Sequence, residues 1–218
     1  MSHEILLEND KFAGYRWVYF SSLSEGPLRS RAERFLESTN WDTLIQIATT
    51  RKGGLACKPL PEIGLGYNHM VRILEFSDQV RWVAKLRMPH LSQDGDGPDA
   101  GGQIMESEYY TLQLVQKECN IPVSHVHMVE SAPNSPVGAP FMLMNCLRGN
   151  VGMDLSMALP SQHKLRFFAS MAEVQIEMFN IRLPKIGKII GMNDGSYRQG
   201  PIPGLGGPFD TAAEFFRA

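Results

Sequence analysis

Cysteine is scarce in this sequence. Three occur in 218 residues, Cys57, Cys119 and Cys146, scattered and odd in number. That excludes a disulfide framework and reads as reduced, mostly buried thiols of an intracellular, cytoplasmic protein. No run of about 18 apolar residues occurs, so no membrane-spanning helix is expected. Neither sign of charge dominates: 21 Lys and Arg stand against 23 Asp and Glu, a net charge of −2. This gives no electrostatic case for nucleic acid or an anionic membrane. Glu4, Glu8 and Asp10 surround a short apolar patch at the N-terminus, which is neither a secretory signal nor an Arg-rich, acid-poor transit peptide. There is no internal repeat. Two metal patterns also fail. Asp94, Asp96 and Asp99 lie in a Gly/Asp/Pro-rich stretch, 89–103, without EF-hand spacing or its glutamate, and read as a solvated loop. His125 and His127 stand at i, i+2 without a third ligand at zinc-like spacing, and read as structural residues.

What is present centres on residues 61–89, PEIGLGYNHMVRILEFSDQVRWVAKLRMP. Two apolar runs, 70–76 and 80–86, flank the short polar break Ser77-Asp78-Gln79, the pattern of a hairpin. Gly64-Leu65-Gly66-Tyr67-Asn68 precedes the first run. Two glycines at i, i+2 allow a sharp turn and a close backbone approach to a ligand. Lys85 lies inside Trp82-Val83-Ala84-Lys85-Leu86, and a lysine with apolar neighbours on both sides needs a partner.

Residues 1–27 read as irregular, with Phe12, Tyr15, Trp17, Tyr19 and Phe20 packing on the domain behind them. A short charged helix is predicted over 29–38. A second begins at Asn40 or Asp42 as cap, with Trp41, Leu44, Ile45 and Ala48 at helical spacing, and ends at Gly53-Gly54. Residues 57–63 lead into the strands. Residues 104–119 are predicted helical, with Ile104, Tyr109 or Tyr110, Leu112 and Val115 as the apolar stripe. Glu108 on this helix is the expected partner of Lys85. Glu106 is the alternative, since two residues along a helix point to different sides. Ile121-Pro122-Val123 stops the helix. Strands are predicted over 126–129 and 140–145, a short helix over 153–159, and a long helix capped by Ser161 through 179. The long helix carries Leu165, Phe168, Ala169, Ala172, Ile176 and Phe179 on one face, which reads as core. Asn193-Asp194-Gly195 marks a second hairpin, and Asp210-Thr211 caps a last helix over 212–218.

This order of parts resembles the small lobe and hinge of the aminoglycoside-phosphotransferase family, a branch of the protein-kinase-like fold. The likeness is greatest to fungal members, including a mitochondrial-inheritance phosphotransferase-like group. The stretches that carry it are WDTLIQIA, GLGYNHMVRI, RWVAKLRMP, ESEYYTLQLVQ, IPVSHVH, GAPFMLMNCLRG and GGPFDTAAEFF, within residues 40–218. The fold class implied is α+β. A kinase-like small lobe, with an antiparallel sheet and one glutamate-bearing helix, spans 40–149 after an N-terminal extension, 1–39. The beginning of a helical large lobe follows over 150–218 and is expected to be truncated. The resemblance implies ATP as cofactor. Gly64, Gly66 and Asn68 would lie over its phosphates, Lys85 would contact the α- and β-phosphates, and Glu108 would orient the lysine. The backbone of Met144, Asn145 and Leu147 would meet the adenine edge. His69 stands where a third glycine is expected. A mitochondrial association is implied by the resemblance alone.

Phosphoryl transfer in this fold needs a base aspartate, a nearby asparagine and a magnesium-holding aspartate, which the family begins with His-Gly-Asp. The sequence has no His-Gly-Asp run. The expectation is therefore the ATP-binding part of a small-molecule kinase, inactive as this chain, with its magnesium ligands and its acceptor site absent. The alternative is a catalytically inactive kinase-like module with a protein partner covering the apolar face of the 161–179 helix.

Overall fold

The computed structural model describes residues 20, 23–91, 100–132, 134–147 and 159–218. They form an α+β structure around a five-stranded antiparallel sheet. The strands are β1 (Cys57–Leu65), β2 (His69–Phe76), β3 (Arg81–Arg87), β4 (Val126–Glu130) and β5 (Phe141–Asn145), in the order β1-β2-β3-β5-β4. The polar break between β2 and β3 is a tight turn. Gln79 takes φ 65°, and Asp78 Oδ1 accepts from the Val80 N–H at 3.1 Å.

Alternation along β3 sets the two faces of the sheet. Trp82, Ala84 and Leu86 are buried, whereas Val83, Lys85 and Arg87 are half-buried. The first face is covered by α1 (Pro27–Ser38) and α2 (Trp41–Arg51). Ala32, Phe35, Leu44 and Ala48 share one core with Met70, Leu86, Phe141 and Leu143. Thus α1, within the stretch expected to be an extension, contributes to the core of the sheet. Phe20 packs against the same cluster, while the other N-terminal aromatics lie outside the described residues. The start of α1 is marked by Pro27 in its first turn, where a missing N–H is harmless. The start of α2 is capped by Asn40, not Asp42: its side chain accepts from the Thr43 N–H at 3.0 Å.

The second face carries α3 (Ala100–Glu118), which begins inside the stretch expected to be a linker. Its buried residues are Met105, Ser107 and Leu114, with Gly102; of the expected stripe Tyr109 and Leu112 pack against the sheet, while Met105 rather than Ile104 is its buried centre. Met105 packs with Met142 and Val126, flanked by Tyr109, Leu112 and Met144. The reason is that the sheet partner is Met142 on the interior strand β5, and Met105, Tyr109 and Leu112 recur at i, i+4, i+7 to meet it.

Two further elements follow. The hairpin β6 (Lys188–Asn193) and β7 (Ser196–Gly200) turns at Asp194, φ 48°, and Gly195, φ 77°, the left-handed pair of a type I′ turn. It meets α3 through Lys117, whose ammonium lies 5.8 Å from the Tyr197 ring centre. The long helix α4 (Ser161–Asn180) starts at Pro160 without a side-chain cap, so Ser161 is not the cap. Its apolar stripe is not core: Leu165 is 83% exposed and Phe179 72%. Among the described residues α4 is tied to the body near its C-terminal end, where Glu177 accepts from the Asn120 N–H at 3.4 Å. A last short helix, α5 (Ala212–Phe215), is capped by Thr211, which accepts from the Glu214 N–H at 3.2 Å. The expected helix over 153–159 falls on the undescribed stretch, apart from Leu159. No helix among the described residues is long and apolar enough to cross a membrane.

The unequal burial gives a test. Leu143→Ala, at a site with no exposed surface, should cost about 2–5 kcal/mol in urea unfolding. Leu165→Ala should change stability by less than about 0.5 kcal/mol. Similar losses at both sites would contradict the exposure of α4.

Candidate functional site

The half-buried face of β3 and the facing side of α3 bring together the two charged residues that the sequence singles out. Lys85 Nζ donates to Glu108 Oε1 in an ion pair. The strand holds the lysine in place because Lys85 is flanked laterally by Val71 and Met142. Glu106 takes a different partner, accepting from Ser131 Oγ at 2.6 Å. Two residues on a helix are about 200° apart, so one glutamate turns to the lysine and the other to the loop after β4.

The β1–β2 connection is shorter than expected. Gly64 lies within β1, paired with Val71, and the turn proper is Gly66-Tyr67-Asn68. Gly66 is not in the left-handed region, and a Cβ there would make ordinary contact with the His69 carbonyl at 3.8 Å. The local backbone therefore does not require glycine at position 66. Three hydrogen bonds fix the turn. The Gly66 N–H donates to His69 O at 2.9 Å and the Met88 N–H to Asn68 O at 3.0 Å. The third comes from Arg31 Nη2 to Tyr67 O.

Arg31 is a residue the sequence reading passed over. It is 5% exposed, in the middle of α1. Its Nη1 donates to Pro89 O at 3.3 Å, and its guanidinium lies 5.5 Å from the Tyr67 ring centre. Burial pulls its pKa down. The available signal was spacing: Leu28, Arg31, Ala32 and Phe35 fall at i, i+3, i+4, i+7, which places an arginine in the apolar stripe.

His69 is half-buried, beside Arg87 in the register. Its Nε2 is shielded from solvent and has no hydrogen-bond partner among the described residues. Burial, then the positive charges of Lys85 and Arg87, hold its pKa at about 4, against the opposing influence of Glu108.

At the end of β5, Asn145 is heavily engaged. Its N–H donates to His125 O at 2.9 Å, its C=O accepts from Ser124 Oγ at 2.6 Å, and its Oδ1 lies 2.7 Å from His127 Nε2. His127 also stacks on Trp82, with ring centres 3.8 Å apart. The histidine next to the sheet is thus bonded and stacked within it. Met144 joins the core under α3, and Leu147 is 56% exposed. Among the described residues no three His, Cys, Asp or Glu side chains are grouped to hold a metal ion.

The sign of the His69 shift sets a pH dependence. The folded protein keeps this imidazole neutral, while the unfolded chain binds its proton near pH 6.5. Its contribution to stability is complete above 6.5 and declines as pH falls towards 4. Urea midpoints should therefore fall less steeply across this window in His69→Leu than in the parent; equal slopes would show that His69 titrates as in the unfolded chain.

Comparison with family models, curated proteins and solved structures yields no match to this chain.

Proposed function

We propose that this chain is the nucleotide-binding part of a small-molecule kinase of the aminoglycoside-phosphotransferase kind, with a protein-kinase-like small lobe and ATP as its ligand. The observation that carries the reading is the Lys85–Glu108 pair, a strand lysine held by a helix glutamate across the half-buried face of the sheet. Such a pair presents one ammonium at a fixed place, and a phosphate oxygen is the natural second partner for it. Lys85 would contact the α- and β-phosphates, with Glu108 orienting it. Gly64, Gly66 and Asn68 would cover the phosphates.

The hinge assignment becomes narrower. The Asn145 N–H is committed to His125. A carbonyl has two lone pairs, so Asn145 O retains an acceptor position beside its bond to Ser124. That position, with the backbone of exposed Leu147 and the side chain of Met144, is what the chain offers an adenine edge. A magnesium ion accompanying the nucleotide would be held by phosphate oxygens and water. When bound, ATP supplies the phosphoryl group, and the acceptor is a small molecule.

A second reading is a catalytically inactive kinase-like interaction module. The observation favouring it is the exposed apolar face of α4, with Phe168 and Ile176 each 60% exposed. Surface of that kind suits a protein partner.

Calorimetry with ATP should show binding that weakens about tenfold or more in Lys85→Ala, while adenosine binds both proteins alike. Equal ATP affinities would remove Lys85 from the site. Incubated with magnesium and ATP, the purified chain should release no ADP above background, because its sequence has no His-Gly-Asp loop. Steady magnesium-dependent ADP release would overturn the inactive assignment.

A further inference from the structure

We infer that Arg31 is a positioning residue that orients the Asn68 amide as a phosphate donor. The inference rests on the nucleotide reading of the Lys85 site. In a trans peptide, the carbonyl of one residue and the N–H of the next point in opposite directions. Arg31 Nη2 holds the Tyr67 carbonyl, so the Asn68 N–H is turned the other way.

The direction follows from the two faces of the sheet. Arg31 belongs to α1, whose Ala32 and Phe35 pack on the face that buries Met70, Ala84 and Leu86. Lys85 lies on the opposite face, paired with Glu108 of α3. A carbonyl held by α1 therefore turns the Asn68 N–H away from the Arg31 guanidinium, and the face of the sheet opposite α1 is the one that carries Lys85. Among the described residues that N–H has no hydrogen-bond acceptor. The next peptide is fixed as well, because Asn68 O accepts from the Met88 N–H. The turn thus has its carbonyls held and one donor left over.

Arg31 suits the task because its position is over-determined. It is buried, it grips Pro89 O as well as Tyr67 O, and it lies over the Tyr67 ring. The first bond ties the turn to the segment after β3, the strand that bears Lys85. The amide donor and the ammonium are thereby set in one frame, which explains how a turn with few glycine requirements keeps a defined shape.

The test uses the full chain, labelled with nitrogen-15, with ATP and adenosine as probes. In the parent protein the Asn68 amide resonance should shift with ATP and not with adenosine; no response to ATP, in a protein that binds it, would overturn the inference. Arg31→Met should weaken ATP about tenfold and leave adenosine unchanged, with Arg31→Lys recovering part of the loss. Equal loss for both ligands would mark Arg31 as structural only and overturn the proposal. If the parent binds neither ligand, the nucleotide reading fails, and the inference about an amide donor falls with it. Under that outcome the Asn68 amide shift in Arg31→Lys still reports whether the clamp sets the peptide. A parent that binds ATP while Arg31→Met binds equally well sinks the inference and leaves the nucleotide reading standing.

Discussion

Everything in this molecule depends on which way β3 faces. Trp82, Ala84 and Leu86 point into the core under α1 and α2, which leaves Lys85 on the other side with α3. Because the side-chain period of a strand is two, a slip of one residue would bury Lys85 and Arg87 and expose the apolar set. The bracketing of β3 by β2 and β5, in register on both sides, prevents it. The position of the lysine is thus a consequence of core packing, and the site is as rigid as the centre of the sheet.

The ion pair itself contributes little to that rigidity. The side chains of Lys85 and Glu108 are 22% and 32% exposed, and pairs of this kind add about 1 kcal/mol or less. Arg31 is a costlier arrangement, since a buried guanidinium must satisfy its donors, and its Nε does not. Both features put charge where stability alone would not ask for it. Arg31 holds the β1–β2 turn from the α1 side of the sheet, and the Lys85–Glu108 pair lies on the other face.

Much of this was legible in the sequence because it rests on short-range rules. The Ser77-Asp78-Gln79 break, the Asn193-Asp194-Gly195 turn and the caps at Asn40 and Thr211 are local backbone chemistry. The choice of Glu108 over Glu106 rests on the kinase-like order of parts, and only the fold shows which of the two faces Lys85. What was not legible depends on contacts distant in sequence. The α3 stripe turned on Met105 because Met142, 37 residues later, is its partner. Arg31 reaches residues 36 and 58 positions away; its spacing places it in an apolar stripe, but nothing local shows which carbonyls it grips. The stripe on α4 reads as core from its periodicity, but periodicity shows only that a face is apolar, not what covers it.

That last helix has an energetic status of its own. A helix in a folded protein is ordinarily held by the surface its amphipathic face packs against more than by its own propensity. Since α4 buries none of its 20 residues, its hydrogen-bond ladder gains almost nothing from the unfolding cost of the sheet. The two parts should therefore behave as separate cooperative units: backbone amides along β2, β3 and β5 are expected to share the global stability of the core, and those of α4 to open by local fraying. A partner that closes over Leu165 and Phe179 would merge the two units, and the molecule would then unfold as one.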